Sequence, residues 1–418
     1  MQPRPATALS FNPAFLVGSL LALYFFLGRW TFARLQGDYE LVPLMEQPRV
    51  WAIGMIVVLA AIVFTEVRHR GSYRPQPIDT VLLAWFSYLL ISAVWAPDAE
   101  LAVEKFSEVA MLLVVTLAIA MIRSPDTQGQ ALLGFWWTVV AMGAAMGLLA
   151  LYMSTGGRVF TPTGGPNIFG RNMGLTGIGA MMLATRCFSL AKVSLYTIVV
   201  LSAIWVVMCG SRGALLATGV AGVVLFLTAR TNFATKITAS LAFAMAAMFM
   251  FANTEAGRNA MDVFRHRILQ QTVEQRYTAD RDDLFTEAVE LGMEKPVLGW
   301  GLSGFRANSW TYPHNIFLEA FAEGGVIGVV LLLWLFWSWW RALRRNRSAM
   351  TGTTLAGMAL LVTSACFSGN FYDSRGVFLF LAISVEAIAS NRVSLPSMHS
   401  SAVRSPAMGN VSATPAGS

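Results

Sequence analysis

The chain has 418 residues, of which 56 % are hydrophobic and only 13 % charged. A soluble domain is nearer a quarter charged, so that class is excluded. The net charge is +7 at pH 7, and where the basic residues fall orients the chain in a membrane.

Twelve apolar runs follow in order: Pro13–Gly28, Val50–Thr65, Ile78–Trp95, Glu108–Ile122, Ala131–Met153, Asn172–Phe188, Ser194–Cys209, Gly213–Ala229, Ile237–Ala252, Asn315–Trp340, Thr353–Phe371 and Gly376–Ala389. Barrel strands would alternate in polarity, whereas these runs are continuous over roughly 15 to 25 residues. The expected fold is therefore an all-α integral membrane protein with about twelve transmembrane helices. The first run is read as a retained span, because no small-residue cleavage site follows it. Nine spans fall in residues 1–252, a large loop in 253–313, three spans in 314–390 and a cytoplasmic tail in 391–418. The tail is rich in Ser, Ala and Pro and reads as disordered. The three cysteines, Cys187, Cys209 and Cys366, have no metal-ligand spacing and read as packing residues.

Charge sets the sides. With the N terminus inside, the short inner links carry Arg68, Arg70, Arg74, Arg123, Arg186, Lys192, Arg230, Lys236, Arg341, Arg344, Arg345 and Arg347. The outer links carry most of the acids, including Asp38, Glu40, Asp98, Glu100 and Glu104. The long loop from about Asn253 to Tyr312 is then external. It holds two amphipathic patterns, Met261/Phe264/Ile268 and Leu284/Phe285/Ala288/Val289, which predict a helical lid. Asp280 is the expected N-cap of the second, with Asp283 at its third position.

The stretch Pro296–Gly328 concentrates the unusual features. Gly299, Gly301 and Gly304 suit a tight turn or a close backbone approach. Pro313 suits the first turn of a helix, and His314 then stands at the mouth of an apolar run. An imidazole with an ordinary pKa of about 6.5 suits proton abstraction there. Outer-face arginines need a reason: Arg158, Arg171, Arg212, Arg281 and Arg306. Pairing with nearby acids is one account of each. Arg212 sits in the short turn Cys209–Gly213, with no acidic neighbour in sequence. A guanidinium fork on a water-facing cavity suits a diphosphate. Glu319 and Glu323 lie four apart on one helical face, where a carboxylate is costly unless paired. For Glu323 either an arginine partner or an orienting role for His314 is open, and it joins Arg158, Arg171 and Arg306 as a candidate substrate-binding residue. Asp280-Arg281-Asp282-Asp283 looks like a metal-holding pair of aspartates, but the same residues serve as a helix cap, and no metal is expected. There is no P-loop, dinucleotide fingerprint or serine-hydrolase elbow. Neither a cofactor nor a nucleic-acid partner is expected.

Taken together, the Ser211-Arg212-Gly213 turn, Arg281 before an apolar helix, Pro296–Gly301, and His314–Glu319 with Glu323–Gly328 resemble the O-antigen ligase/polymerase superfamily. The resemblance in motif covers Arg212 to Gly328. It implies a GT-C-type glycosyltransferase of the bacterial inner membrane, with its site facing the periplasm. The donor it implies is an O-antigen on undecaprenyl diphosphate, and the acceptor a sugar hydroxyl of lipid A–core, both delivered among membrane lipids. Arg212, Arg281 and His314 match the superfamily's span-end arginine, loop arginine and loop histidine, and are the expected catalytic residues. Direct attack would invert the anomeric centre. The same donor chemistry serves an O-antigen polymerase or a protein O-oligosaccharyltransferase. A transporter is the alternative from another class.

Overall fold

The computed structural model describes residues 12–28, 30, 46–153, 158–161, 164–187, 189–229, 232–266, 270, 281–345 and 351–385. Among these the chain is helical and contains no strand. The apolar helices are α1 (Pro13–Leu27), α2 (Pro48–His69), α3 (Pro77–Ile91), α4 (Ala99–Met121), α5 (Pro125–Met153), α6 (Pro166–Ala184), α7 (Ser189–Met208), α8 (Arg212–Thr228) and α9 (Phe233–Asn253). The loop contributes α10 (Glu255–Phe264), α11 (Arg281–Glu294) and α12 (Gly304–Asn308), and the chain closes with α13 (Ile316–Arg345), α14 (Thr351–Ala365) and α15 (Arg375–Ser384). Proline in the first turn starts α1, α2, α3 and α6, where its missing N–H costs nothing. Asn12, Asp98, Ser211 and Thr254 accept side-chain cap bonds at the starts of α1, α4, α8 and α10.

Each of the twelve predicted runs overlaps one of these helices, although α14 ends at Ala365, short of the predicted Phe371, and the last run continues past the described residues. Five helical stretches among the described residues are long and apolar enough to cross a membrane by themselves: Pro48–His69, Pro77–Trp95, Gly129–Met153, Leu190–Met208 and Ile316–Arg345. The chain is thus a multi-pass membrane protein. Two other helices of comparable length carry buried charge. Lys105 and Glu108 lie inside α4, and Arg171 and Asn172 inside α6. The predicted run beginning at Glu108 therefore starts too late, since α4 extends back to Ala99.

Side-chain and backbone contacts distinguish two ends of the bundle. At one end the links after α2 and α4 meet: Arg74 N–H donates to the Arg123 carbonyl, and Arg123 pairs with Asp79 at 2.7 Å. At the other end the C-terminal end of α1 meets the residues before α15, and the N-terminal halves of α4 and α13 pair. There too α6 meets Asp373, and the α7–α8 turn meets Arg158.

α13 is broken at Gly325, whose φ of 58° and ψ of −158° are non-helical. A break frees the carbonyls of Ala322, Glu323 and Gly324 from their usual partners four residues on. Here the loop before α12 supplies replacements. Trp300 N–H bonds the Ala322 carbonyl and Gly301 N–H the Glu323 carbonyl, both at 2.9 Å, while Tyr88 Oη donates to Gly324 at 2.7 Å. In return Val326 N–H reaches the Pro296 carbonyl at 2.8 Å. Every one of these exchanges keeps a backbone group satisfied where lipid offers no alternative. The predicted close approach of Gly301 is real: a Cβ there would lie 2.6 Å from the Ser92 carbonyl oxygen. At Gly324 the close neighbour is the Tyr88 ring of α3, and at Gly325 it is the Val297 carbonyl.

Candidate active site

The lid helix α11 is placed by a small core. Leu284, Ala288 and Leu291 pack with Phe305 and Ala322, and Trp300 Nε1 donates to the Leu291 carbonyl at 3.0 Å. Val289, predicted on the same face, is instead 44 % exposed, because the inward stripe continues to Leu291 and Gly292. The predicted cap Asp280 and the face residue Ile268 lie outside the described residues, as does the tail from 391. This packing fixes Arg281, the first residue of α11, against the end of the bundle.

Arg212 is the first residue of α8. Its N-cap, Ser211, accepts from Ala214 N–H at 3.2 Å and donates to Asn167 Oδ1 at 2.6 Å. A helix N-terminus is itself favourable to an anion. Arg158 belongs to the same turn, its Nε donating to the Cys209 carbonyl at 3.0 Å.

His314 precedes α13. Asn315, not Pro313, begins that helix, for its Oδ1 accepts from Phe317 N–H at 3.0 Å and Leu318 N–H at 3.3 Å. The predicted first-turn position of Pro313 is corrected accordingly. His314 has a φ of 56°, a left-handed conformation that a histidine adopts at a cost of order 1–3 kcal/mol. Two contacts hold the ring: Gly369 N–H donates to Nδ1 at 3.2 Å, and the Tyr312 ring lies edge-on at 4.7 Å. An imidazole that accepts at Nδ1 carries its neutral-state proton on Nε2. Burial, with Arg281 adding to it, lowers the His314 pKa below its usual value, while Asp373 opposes the shift. The ring therefore stays neutral to a pH below about 6.5.

Arg281 stands in relation to both of the others. Arg281 lies within electrostatic reach of both Arg212 and His314. Burial, and then Arg212, lower the pKa of the Arg281 guanidinium. Arg281 thus links Arg212 and His314, and all three are half-buried and come from separate segments.

The other sequence candidates are placed differently. Arg306 pairs with Glu104 at 2.8 Å on the surface. Arg171 is 3 % exposed and donates through Nη1 to the Asp373 carbonyl at 2.7 Å. Glu323 has a lysine partner, not the arginine weighed from the sequence: Lys105 Nζ lies 2.6 Å from Glu323 and 2.5 Å from Glu319. A lysine reaches both because its slender stem enters between α4 and α13. Among the described residues no His, Cys, Asp and Glu side chains gather as metal ligands would.

Sequence reasoning missed Lys105 and Asp373. Both left a signal, a charged residue in or beside an apolar run, where charge persists only with a partner.

Residues 197–333 match the model of the Wzy_C family, described as O-antigen ligase. That third of the chain contains Arg212, Arg281 and His314, together with Glu319 and Glu323. Wzy_C members are glycosyltransferase-like enzymes, and the family is one of the bacterial inner membrane. No curated protein matches the chain at a significant level.

Proposed function

We propose that this protein is an O-antigen ligase. It moves a polysaccharide from undecaprenyl diphosphate to a sugar hydroxyl of lipid A–core at the periplasmic face of the inner membrane. The observation that carries this reading is that Arg281 lies within electrostatic reach of both Arg212 and His314, all three within the segment that matches Wzy_C. In this reading all twelve apolar helices span, in a GT-C arrangement, and the end rich in Arg74 and Arg123 faces the cytoplasm.

The chemistry follows from the residues. The acceptor oxygen attacks the anomeric carbon, whose bond to the diphosphate oxygen breaks with inversion. The electron pair departs with the diphosphate. Arg212 and Arg281 neutralise that charge as it develops, with no metal required. His314 is neutral near pH 7 and takes the hydroxyl proton as general base. The lone pair it would use is on Nδ1, so the Gly369 bond must yield when the acceptor binds. That same bond favours a second role, in which Nε2–H donates to the diphosphate and the leaving group takes the proton.

Transfer by the purified protein, from lipid-linked glycan to lipid A–core in the presence of EDTA, tests the reading. A covalent conjugate is expected. Elongation of the lipid-linked glycan alone would make the protein a polymerase, and flux without a conjugate would make it a transporter. His314→Gln separates the two roles of the ring, because glutamine donates a hydrogen bond but is a poor base. As base, His314 gives a rate that is full above its titration and falls as pH drops through a value below about 6.5. Near-normal turnover in His314→Gln with no acid limb would leave the donor role.

A further inference from the structure

Three more arginines, outside residues 197–333, lie near one another on α2, α6 and α15. Arg171 and Arg375 both lie against the Phe25 ring, at 5.5 and 6.0 Å. Arg375 and Arg49 both lie against the Tyr372 ring, at 5.2 and 5.0 Å. All three are buried.

Their hydrogen bonding is incomplete in one consistent way. Arg375 caps the end of α1, with Nη2 donating to the Phe25 carbonyl at 2.6 Å and Nη1 to the Tyr372 carbonyl at 3.2 Å, but its Nε has no partner among the described residues. Gly28 makes room for that guanidinium. Arg49 donates through Nε to Gln47 at 2.7 Å, while its Nη1 is 3.9 Å from Glu108, too far for a hydrogen bond. Arg171 is the clearest case. Nη1 is used on Asp373, and Nε and Nη2, the two donors along one edge, have no partner among the described residues. That edge is the one that grips two oxygens of a single oxyanion.

The local charges agree. Glu108 and Asp373 stand against three guanidinium groups, and Arg171 and Arg375 repel each other. The nearest further charges, Lys105 with Glu319 and Glu323, form their own triad, Lys105 lying over the Phe371 ring. Four buried donor nitrogens of these three arginines lack an acceptor among the described residues, a desolvation cost that a tetrahedral oxyanion would lower.

We propose that Arg171 and Arg375, with Arg49 beside them, form a second anion site that holds one phosphate group. It is separate from Arg212, Arg281 and His314, and does not depend on the reaction assigned to them. The phosphate belongs either to a membrane lipid headgroup or to free inorganic phosphate.

The test reads bound phosphorus rather than turnover. Full-length protein is prepared as Arg281→Ala, so that a lipid diphosphate at the other site contributes little, and is washed exhaustively in detergent. About one phosphate-bearing molecule per chain should remain, and Arg171→Met in that background should weaken its retention about 10–100-fold. Phosphorus that partitions into an organic extract assigns a lipid headgroup; phosphorus left in the aqueous phase assigns inorganic phosphate. Should Arg171→Met not fold, the Arg171-containing protein decides alone, through a rise in Tm with inorganic phosphate or with phosphatidylglycerol vesicles over a chloride or phosphatidylcholine control. No retained phosphorus together with no such rise overturns the site, as does unchanged retention in folded Arg171→Met.

Discussion

Two groups of charge lie at the same end of this bundle and are built on opposite rules. At Lys105, two carboxylates close on one ammonium at 2.5 and 2.6 Å, with Glu319 wholly buried. At the candidate active site, Arg212 and Arg281 bring like charges within reach of each other beside a neutral His314. The first group completes itself and ties α4 to α13 next to the break at Gly325. The second raises the cost of its own assembly, and that cost falls when an anion enters. Complementary charge here ties helices together; like charge, half-buried, is what the proposed reading assigns to substrate.

The sharpest way to break this comparison is to remove the ammonium. Lys105→Met leaves two buried carboxylates without their counter-charge and should cost about 3–5 kcal/mol of stability. Thermal unfolding in detergent reads the loss, and adding Glu319→Gln and Glu323→Gln should recover much of it. A Lys105→Met protein as stable as wild type would show that the triad is not a joint.

Arg281→Ala should do the reverse. Removal of one donor to developing charge is worth about 10²–10³-fold in rate, or 2.7–4 kcal/mol. Transfer should fall by that amount while Tm stays level or rises, because a like-charge neighbour has gone. A large drop in Tm would make Arg281 part of the joint. Lysine should rescue only partly, since it keeps the charge and loses the planar fork.

Gly325→Ala probes the backbone between the two groups. A Cβ would sit 2.4 Å from the Val297 carbonyl oxygen, at a φ of 58°. Strain of about 1–3 kcal/mol should appear as a lower Tm, with detachment of the Pro296–Gly301 loop. Faster hydrogen exchange at Trp300 and Gly301 N–H would report that detachment; unchanged exchange would mean the loop holds without the break.

Arg306→Ala should have the smallest effect. Its pair with Glu104 is 44 % and 53 % exposed on the two side chains, and such pairs contribute about 0–1 kcal/mol. Transfer and Tm should both stay near wild type. A loss comparable to that of Arg281→Ala would return Arg306 to the substrate-binding role considered from the sequence.

The sequence by itself determined where the helices lie. A chain passing through lipid must satisfy its backbone within each segment, so continuous apolar runs become helices whatever surrounds them. It also made Arg212, Arg281 and His314 visible, because a charged or titratable group beside an apolar run stands out and requires a reason. The glycines at 299 and 301 were legible for a similar local reason, since few other residues suit a close backbone approach. Tertiary structure alone decided the partners. Lys105 meets Glu319 from 214 positions away, and Arg171 meets Asp373 from 202. No periodicity encodes such a distance. The break in α13 was hidden for the same reason: Gly325 is tolerated within a helix until a loop from elsewhere takes over its neighbours' hydrogen bonds, and only the folded chain brings that loop there.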